Sequence, residues 1–474
     1  MNQAIVRLFL FVCLLFALLV AWTSRWTVFE QEDLEANTLN KRQVLEEQRI
    51  PRGPIRARDG TALARSVRDR DGTYTRRYPL GNVFAQTVGY SFLSVNRSGL
   101  EQQYNDELTG KEEGVESVLD QLTGKERRGN ELRTTLDPAA QKVALGALQG
   151  RKGAVVAMEP STGRVRVMAS SPSFDPNALR DARNTDVLED GSALNRTTLG
   201  QYPPGSTFKV VTAVAAIDSG KYTKDSQLDG KSPQTISGTP LRNFNDEQFG
   251  RIPLTTALTK SVNTVWAQVG VDVGRDTMQD YMERFGFYDR IPIDLPEGEK
   301  GRSGVQVRGE DGFVPVTDDR VDLGRVAIGQ GGLLATPLQM AQVASAVAND
   351  GTLMKPMLAD RIVDRDGRTV EELEPETEAE VMKSSTAREV GDMMASVVAE
   401  GSGTAAALEG VPVAGKTGTA EIDIQRGINT PWFIGFAPRE NPRFAVAVTI
   451  ERAQGQGGVI AAPIAKQVLQ ELLR

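Results

Sequence analysis

The chain has 474 residues, 40% hydrophobic and 25% charged, an ordinary globular composition with room for two to three domains. Its net charge of −7 carries no basic domain or stripe, so nucleic acid is not an expected partner. Histidine is absent altogether, which removes every Ser-His-Asp triad, Cys-His pair and His-ligated metal site and leaves acid–base work to Lys, Asp, Glu or Tyr.

Residues 8–22 are all apolar, and counting from Ala4 with Arg7 snorkelling gives close to the ~20 residues a bilayer core requires. Trp22 and Trp26 would mark the far interface. A cleaved signal peptide is the alternative, but Trp22 crowds the Ala21 position and no clean small-x-small site follows. Residues 1–27 are therefore read as a tail and single-pass membrane anchor, N-terminus cytoplasmic and bulk outside. The only cysteine, Cys13, lies inside this run, so the folded part can form neither a disulfide nor a thiolate metal cluster. No metal and no cofactor is expected.

Residues 30–48 are polar with leucines at 34, 39 and 45, as in a stalk or equally a solvated linker. Residues 52–64 read as strand, Asp59-Gly60 turn and strand, and short elements over 76–90, 99–110 and 131–136 continue a small α+β module spanning 28–140. A second domain, 141–474, begins within a helix opened by Asp137-Pro138 and closed by Gly150. Two β-rich runs, 153–158 and 164–169, flank a Pro-Ser-Thr-Gly turn and make a hairpin. At the far end 411–421, 432–437 and 443–451 are strand-like, and 462–473 is a last helix. These five strands assemble into one antiparallel sheet faced by helices on both sides, an α/β fold of the α+β type. A mostly helical insert lies between, with a helix over 333–348 and an acidic connector at 371–380.

That insert opens on Tyr-Pro-Pro-Gly-Ser-Thr-Phe-Lys at 202–209. Ser206 and Lys209 lie three residues apart on the first turn of an apolar helix, so the amine can reach the hydroxyl. Ser261-Val262-Asn263 stands 55 residues beyond Ser206, and Lys416-Thr417-Gly418-Thr419 a further 155 beyond Ser261, on the strand that begins the C-terminal meander. Each motif is common by chance; all three in this order are not.

S-x-x-K, S-x-N and K-T-G together are the signature of penicillin-recognising serine enzymes. The chain resembles the class B penicillin-binding proteins, most of all their actinobacterial penicillin-binding protein A group. The likeness extends to Gly-Ala-Val-Val-Ala-Met-Glu-Pro-Ser-Thr-Gly at 153–163, Ser-Ser-Pro-Ser-Phe-Asp-Pro at 170–176, Ile-Gly-Gln at 328–330, Thr-Pro-Leu-Gln-Met-Ala at 336–341, Trp-Phe-Ile-Gly-Phe-Ala-Pro at 432–438 and Ala-Ala-Pro at 461–463. Two positions depart: Ala57, where many relatives carry Asp, and Pro431, where many carry His. The expected fold is then the penicillin-binding transpeptidase fold, the five-stranded antiparallel sheet with helices on both faces and an all-helical subdomain.

Amide chemistry needs a nucleophile, a base and oxyanion donors. Ser206 attacks, and neutral Lys209, its pKa lowered by burial and neighbouring positive charge, takes the proton; Lys416 can supply that charge. The resemblance implies the other roles. Ser261 shuttles a proton to the leaving amine, and Asn263 holds the substrate amide. Lys416, Thr417 and Thr419 bind the terminal carboxylate of a D-Ala-D-Ala stem, and Gly418 lets the acyl group approach. The oxyanion hole is the backbone N–H of Ser206 and of Thr419. The implied function is a membrane-anchored peptidoglycan D,D-transpeptidase that β-lactams inhibit, with stem peptides as substrates. It further implies a membrane glycan polymerase of the shape, elongation, division and sporulation type as partner. Oligomeric state stays open. A D,D-carboxypeptidase or β-lactamase keeps the motifs but prefers water, and a scaffold that reports β-lactams is the reading from another class.

Overall fold

The computed structural model describes residues 2–25, 49–92, 95–111, 128–423 and 425–474; Trp26 and the 30–48 stalk fall outside them. Helix α1 (Asn2–Ser24) is apolar on every face, and its large hydrophobic side chains from Ile5 to Trp22 stand exposed. Its 20-residue span Ile5–Ser24 is long enough, at roughly 30 Å, to cross a bilayer core.

Strands β1 (Ile55–Arg56), β2 (Ala62–Arg68), β3 (Tyr74–Arg77) and β4 (Glu131–Thr134) come next, then helix α2 (Pro138–Leu148) and the hairpin β5 (Gly153–Met158) and β6 (Val165–Ser171). The insert carries α3 (Lys209–Asp218), α4 (Leu254–Thr259), α5 (Asn263–Val273) and α6 (Pro337–Ala348). Strands β7 (Ala359–Val363) and β8 (Thr369–Glu372) and helix α7 (Ser384–Glu400) lead to the meander β9 (Ala414–Asp423), β10 (Ile428–Ala437) and β11 (Phe444–Ile450), and helix α8 (Gly457–Leu472) closes the chain.

The meander and the front hairpin form the expected sheet, in the order β9-β10-β11-β5-β6 and antiparallel throughout. Every residue of β5 and β11 is buried, because both faces are covered. Val155, Ala157, Phe433, Val446 and Val448 pack towards α2 and α8, while Val156, Met158, Trp432, Ile434 and Ala447 face the insert core with α3 and α6. Pro431 is tolerated within central strand β10 because the ladder to β11 ends at Trp432 and the short strand Ala453–Gln454 begins pairing only at Asn429.

The insert's helices are accompanied by three short β-pairs that periodicity does not reveal: Gln227–Asp229 with Arg251–Pro253, Gln234–Ile236 with Thr239–Leu241, and Gly304–Val305 with Leu333–Leu334. The expected Asp59-Gly60 hairpin is present, with Gly60 at φ +83° and Asp59 Oδ1 accepting from Thr61 N at 2.9 Å. Its sheet draws on both halves of the chain, however, in the order β8-β7-β4-β1-β2-β3. The acidic 371–380 segment is exposed but not featureless, since Glu371 and Glu372 end β8 and Thr377–Glu380 pairs with Thr352–Met354. At the centre of the N-terminal module the fully buried Glu101 receives Arg52 Nε at 2.6 Å and Arg76 Nε at 2.5 Å.

Candidate active site

Local sequence forces the turn that carries Ser206. Gly205 adopts φ +53°, which a side chain resists, and a 3-10 turn over Gly205–Phe208 runs into α3. The helix proper therefore starts at Lys209, one turn later than the apolar pattern indicates. From Pro204 to Ala216 only Ser206 is not buried. The turn is held from three sides. Trp432 Nε1 donates to Pro203 O at 2.9 Å, Thr207 Oγ1 to Pro204 O at 2.7 Å, and Gly205 N to Gly329 O at 2.9 Å.

Strand β9 lies at the end of its sheet, with one edge free of strand partners among the described residues, and abuts this turn. A Cβ added at Gly418 would sit 2.6 Å from Pro204 O, and one added at Gly205 would sit 3.0 Å from the Thr419 carbonyl carbon. Gly418 thus serves close packing of strand on turn. Thr417 Oγ1 meets Ser402 Oγ at 2.5 Å, and Thr419 Oγ1 accepts from Gly457 N at 3.2 Å, at the start of α8.

Two lysines, both fully buried, converge on one serine. Lys209 Nζ donates to Asn263 Oδ1 at 2.7 Å and to Ser261 O at 2.8 Å, and lies 3.3 Å from Ser261 Oγ. Lys416 Nζ donates to the same Oγ at 2.9 Å and to Thr417 O at 2.9 Å. Burial pushes the Lys209 amine well below the ordinary lysine range, and the Lys416 charge pushes it further; burial alone brings Lys416 down to about 7. Because the facing loop offers Lys209 two acceptors, its amine rests on Ser261 and Asn263, and no hydrogen bond joins it to Ser206 Oγ among the described residues.

Ser261 sits in the bend between α4 and α5 at φ +58°, a left-handed conformation costly for serine. Asn263 opens α5. Its Nδ2 donates to Arg242 O at 3.1 Å, which turns Oδ1 towards Lys209. Asn243, buried, backs this arrangement: Oδ1 accepts from Thr264 N at 3.0 Å while Nδ2 donates to Gly230 O at 2.8 Å. The structure thus brings Ser206, Lys209, Ser261, Asn263, Lys416, Thr417, Gly418 and Thr419 to one cleft. Asn243, the Arg242 carbonyl and Gly329 complete it and were not singled out for it in the sequence. Gly329 lies within the Ile-Gly-Gln run at 328–330, the one visible signal among them.

A hydroxyl at the mouth of a buried amine pair, beside a free strand edge, defines a serine acyl-transferase acting on an extended peptide. Residues 153–470 match the family model described as penicillin binding protein transpeptidase domain, and residues 52–132 match penicillin binding protein A dimerisation domain. The peptidoglycan D,D-transpeptidase PbpA of Mycolicibacterium smegmatis is 34% identical over all of this chain and 99% of that protein. Among solved structures, penicillin-binding protein A from M. tuberculosis as its ceftriaxone acyl-enzyme complex superposes with TM-score 0.82 at 30% identity, covering 91% of this chain and 100% of that one. The D,D-transpeptidase domain from Eggerthella lenta gives 0.79 at 34% identity, covering 90% and 98%. The chain belongs to the class B penicillin-binding proteins, a family of peptidoglycan D,D-transpeptidases working through a serine acyl-enzyme.

Proposed function

We propose that Ser206 is the acyl carrier of a peptidoglycan cross-linking cycle and that the residues around it divide the work as follows. A donor stem adds along the free edge of β9, its terminal carboxylate against Lys416 and the hydroxyls of Thr417 and Thr419. Neutral Lys209 spends its two N–H bonds on Ser261 O and Asn263 Oδ1 and keeps a lone pair for the Ser206 proton. Ser206 Oγ attacks the penultimate D-Ala carbonyl carbon, and the oxyanion is met by the N–H groups of Ser206 and Thr419. The proton on Lys209 then passes through Ser261 Oγ to the departing D-Ala amine. An acceptor amine attacks the resulting ester, loses its proton by the same route and frees Ser206. A β-lactam enters this path but keeps its leaving amine tethered, so the ester persists.

One observation carries the reading: a single hydroxyl, Ser261 Oγ, stands 3.3 Å from Lys209 Nζ and 2.9 Å from Lys416 Nζ, both amines buried. That is a proton relay with no histidine. Residues 1–27 are the tail and anchor, 28–140 the pedestal and 141–474 the catalytic domain, with the N-terminus cytoplasmic and the catalytic domain outside. The acyl chemistry needs polymerised glycan beside it, which makes a membrane glycan polymerase of the shape, elongation, division and sporulation type the expected partner. Fluorescent penicillin labelling of wild type and Ser206→Ala tests the nucleophile; labelling that survives the substitution refutes it. A protein that labels but cannot join two stem peptides refutes the transpeptidase reading in favour of a hydrolase or scaffold.

A further inference from the structure

Where the N-terminal sheet meets edge strand β6 of the catalytic sheet, the chain encloses a cavity of about 320 Å³. Its wall carries Arg58, Arg133, Arg164, Arg166 and Arg361 and a single carboxylate, Asp360. In a chain of net charge −7 such a concentration is not compositional noise. Strand register sharpens it. Arg56, Arg133 and Arg361 stand opposite one another on adjacent strands β1, β4 and β7, a row of like charges that destabilises a sheet unless something answers it.

The protein answers only in part. Glu131 is shared by Arg56 at 2.8 Å and Arg133 at 2.9 Å, and Asp360 by Arg164 at 3.2 Å and Arg361 at 3.0 Å. Arg58 pairs with Asp137 at 2.9 Å and Arg166 with Glu159 at 2.5 Å. The five arginines of the wall and Arg56 beside them share four carboxylates, which leaves two positive charges unmatched among the described residues. Arg164 Nε is also buried without a hydrogen-bond partner among the described residues. Arg58 and Arg133, each 49% exposed, give the cavity a route to solvent.

We propose that this cleft binds a phosphate-type anion. Several guanidinium forks with a surplus of two charges suit the tetrahedral, multiply accepting oxygens of a phosphate better than one carboxylate. The volume lies at the low end of small-ligand pockets, enough for a phosphate group and its immediate substituent. Because the wall combines the turn after β1 and strands β4 and β7 of the N-terminal sheet with β6 of the catalytic sheet, a bound anion also ties the two sheets together at the edge farthest from β9.

The test is calorimetric titration of the full chain in detergent micelles with inorganic phosphate and, separately, glycerophosphoglycerol. The expected result is saturable one-site binding of at least one probe, weakened about tenfold or more by Arg133→Gln and by Arg361→Gln. Fluorescent penicillin labelling should stay unchanged in both variants, which shows that the fold survives; Arg58→Gln carries the same test should either lose it. Binding of the diester alone assigns a lipid-type headgroup, and binding of inorganic phosphate alone assigns the free ion. No saturable binding of either probe to wild type, or undiminished affinity in the labelling-competent variants, overturns the site.

Discussion

Replacing Gly329 by alanine tests how the nucleophile is aimed. Gly329 holds φ +80°, and a Cβ there would lie 1.9 Å from Gly205 O, 2.6 Å from Gly205 C and 2.7 Å from Gly205 N. All three are backbone atoms, so no side chain can rotate away. Reaching ordinary contact near 3.4 Å requires the two segments to separate by roughly 1.5 Å. The left-handed alanine costs roughly 1–2 kcal/mol and loss of the Gly205 N–H···O=C Gly329 bond about 1 kcal/mol more. Stability should fall by roughly 2–3 kcal/mol, a few degrees in Tm. The effect on chemistry should be larger, because Ser206 follows Gly205 directly and a displacement of about 1 Å can cost about 100-fold. Second-order acylation by a fluorescent penicillin, read beside a thermal melt, separates the two effects. A folded Gly329→Ala protein that acylates at the wild-type rate refutes the argument that this loop sets the serine.

Under the proposed mechanism the buried lysines should make acylation pH-dependent. The rate should rise as pH passes upward through the depressed Lys209 value and level off well below the ordinary lysine range. In Lys416→Met the residual acylation should show that limb moved to higher pH, since a repelling charge is gone; an unmoved limb counts against the coupling. The same lysine sets a stability slope. From pH about 7, where folded Lys416 has lost its proton, up to the ordinary range, the unfolded chain holds more protons, so stability rises with pH, and Lys416→Met should flatten that rise in urea titrations. In the N-terminal module burial pushes the Glu101 carboxyl up, but Arg76 and Arg52 outweigh it and hold it below its ordinary value. Its contribution is present above the unfolded pKa and lost as pH falls through the folded one. Glu101→Gln should therefore cost about 3–5 kcal/mol near neutral pH and remove that acid limb, as urea unfolding across pH would report. Trp432→Phe, which removes the bond to Pro203 O and leaves a cavity where the larger indole was buried, should cost about 2–3 kcal/mol and slow acylation without abolishing it.

The five-stranded sheet and its helices were legible because periodicity reports burial: β5 and β11 are continuous apolar runs between turn residues. The residues that meet in the cleft were legible because their types are rare in combination and stand in a fixed order. What escaped were contacts between segments far apart in the chain. Nothing in residues 359–372 announces that they complete a sheet begun at Ile55, because two-residue strands such as β1 are held by their neighbours and not by their own propensity. Asn243 escaped for the same reason: its importance lies in Thr264 N and Gly230 O, which no spacing rule links to it. The direct Ser206–Lys209 contact was a sound inference from helical spacing, overtaken by the two acceptors that the bend at Ser261 presents to the amine.

The cleft gathers features that each oppose stability: two fully buried lysines and a serine at φ +58°. Their clustering has a mechanical reason. A lysine works as a base near neutral pH only if its charge is disfavoured, which burial and a neighbouring cation achieve; in the proposed mechanism the second lysine supplies both the repulsion and a site for the substrate carboxylate. Ser261 must present its carbonyl and its hydroxyl to Lys209 at once, and the left-handed bend lets one residue do so. Relief of any one of these strains, as in Lys416→Met, should therefore stabilise the fold and slow acylation together, since the energy stored in the cleft is what keeps Lys209 unprotonated.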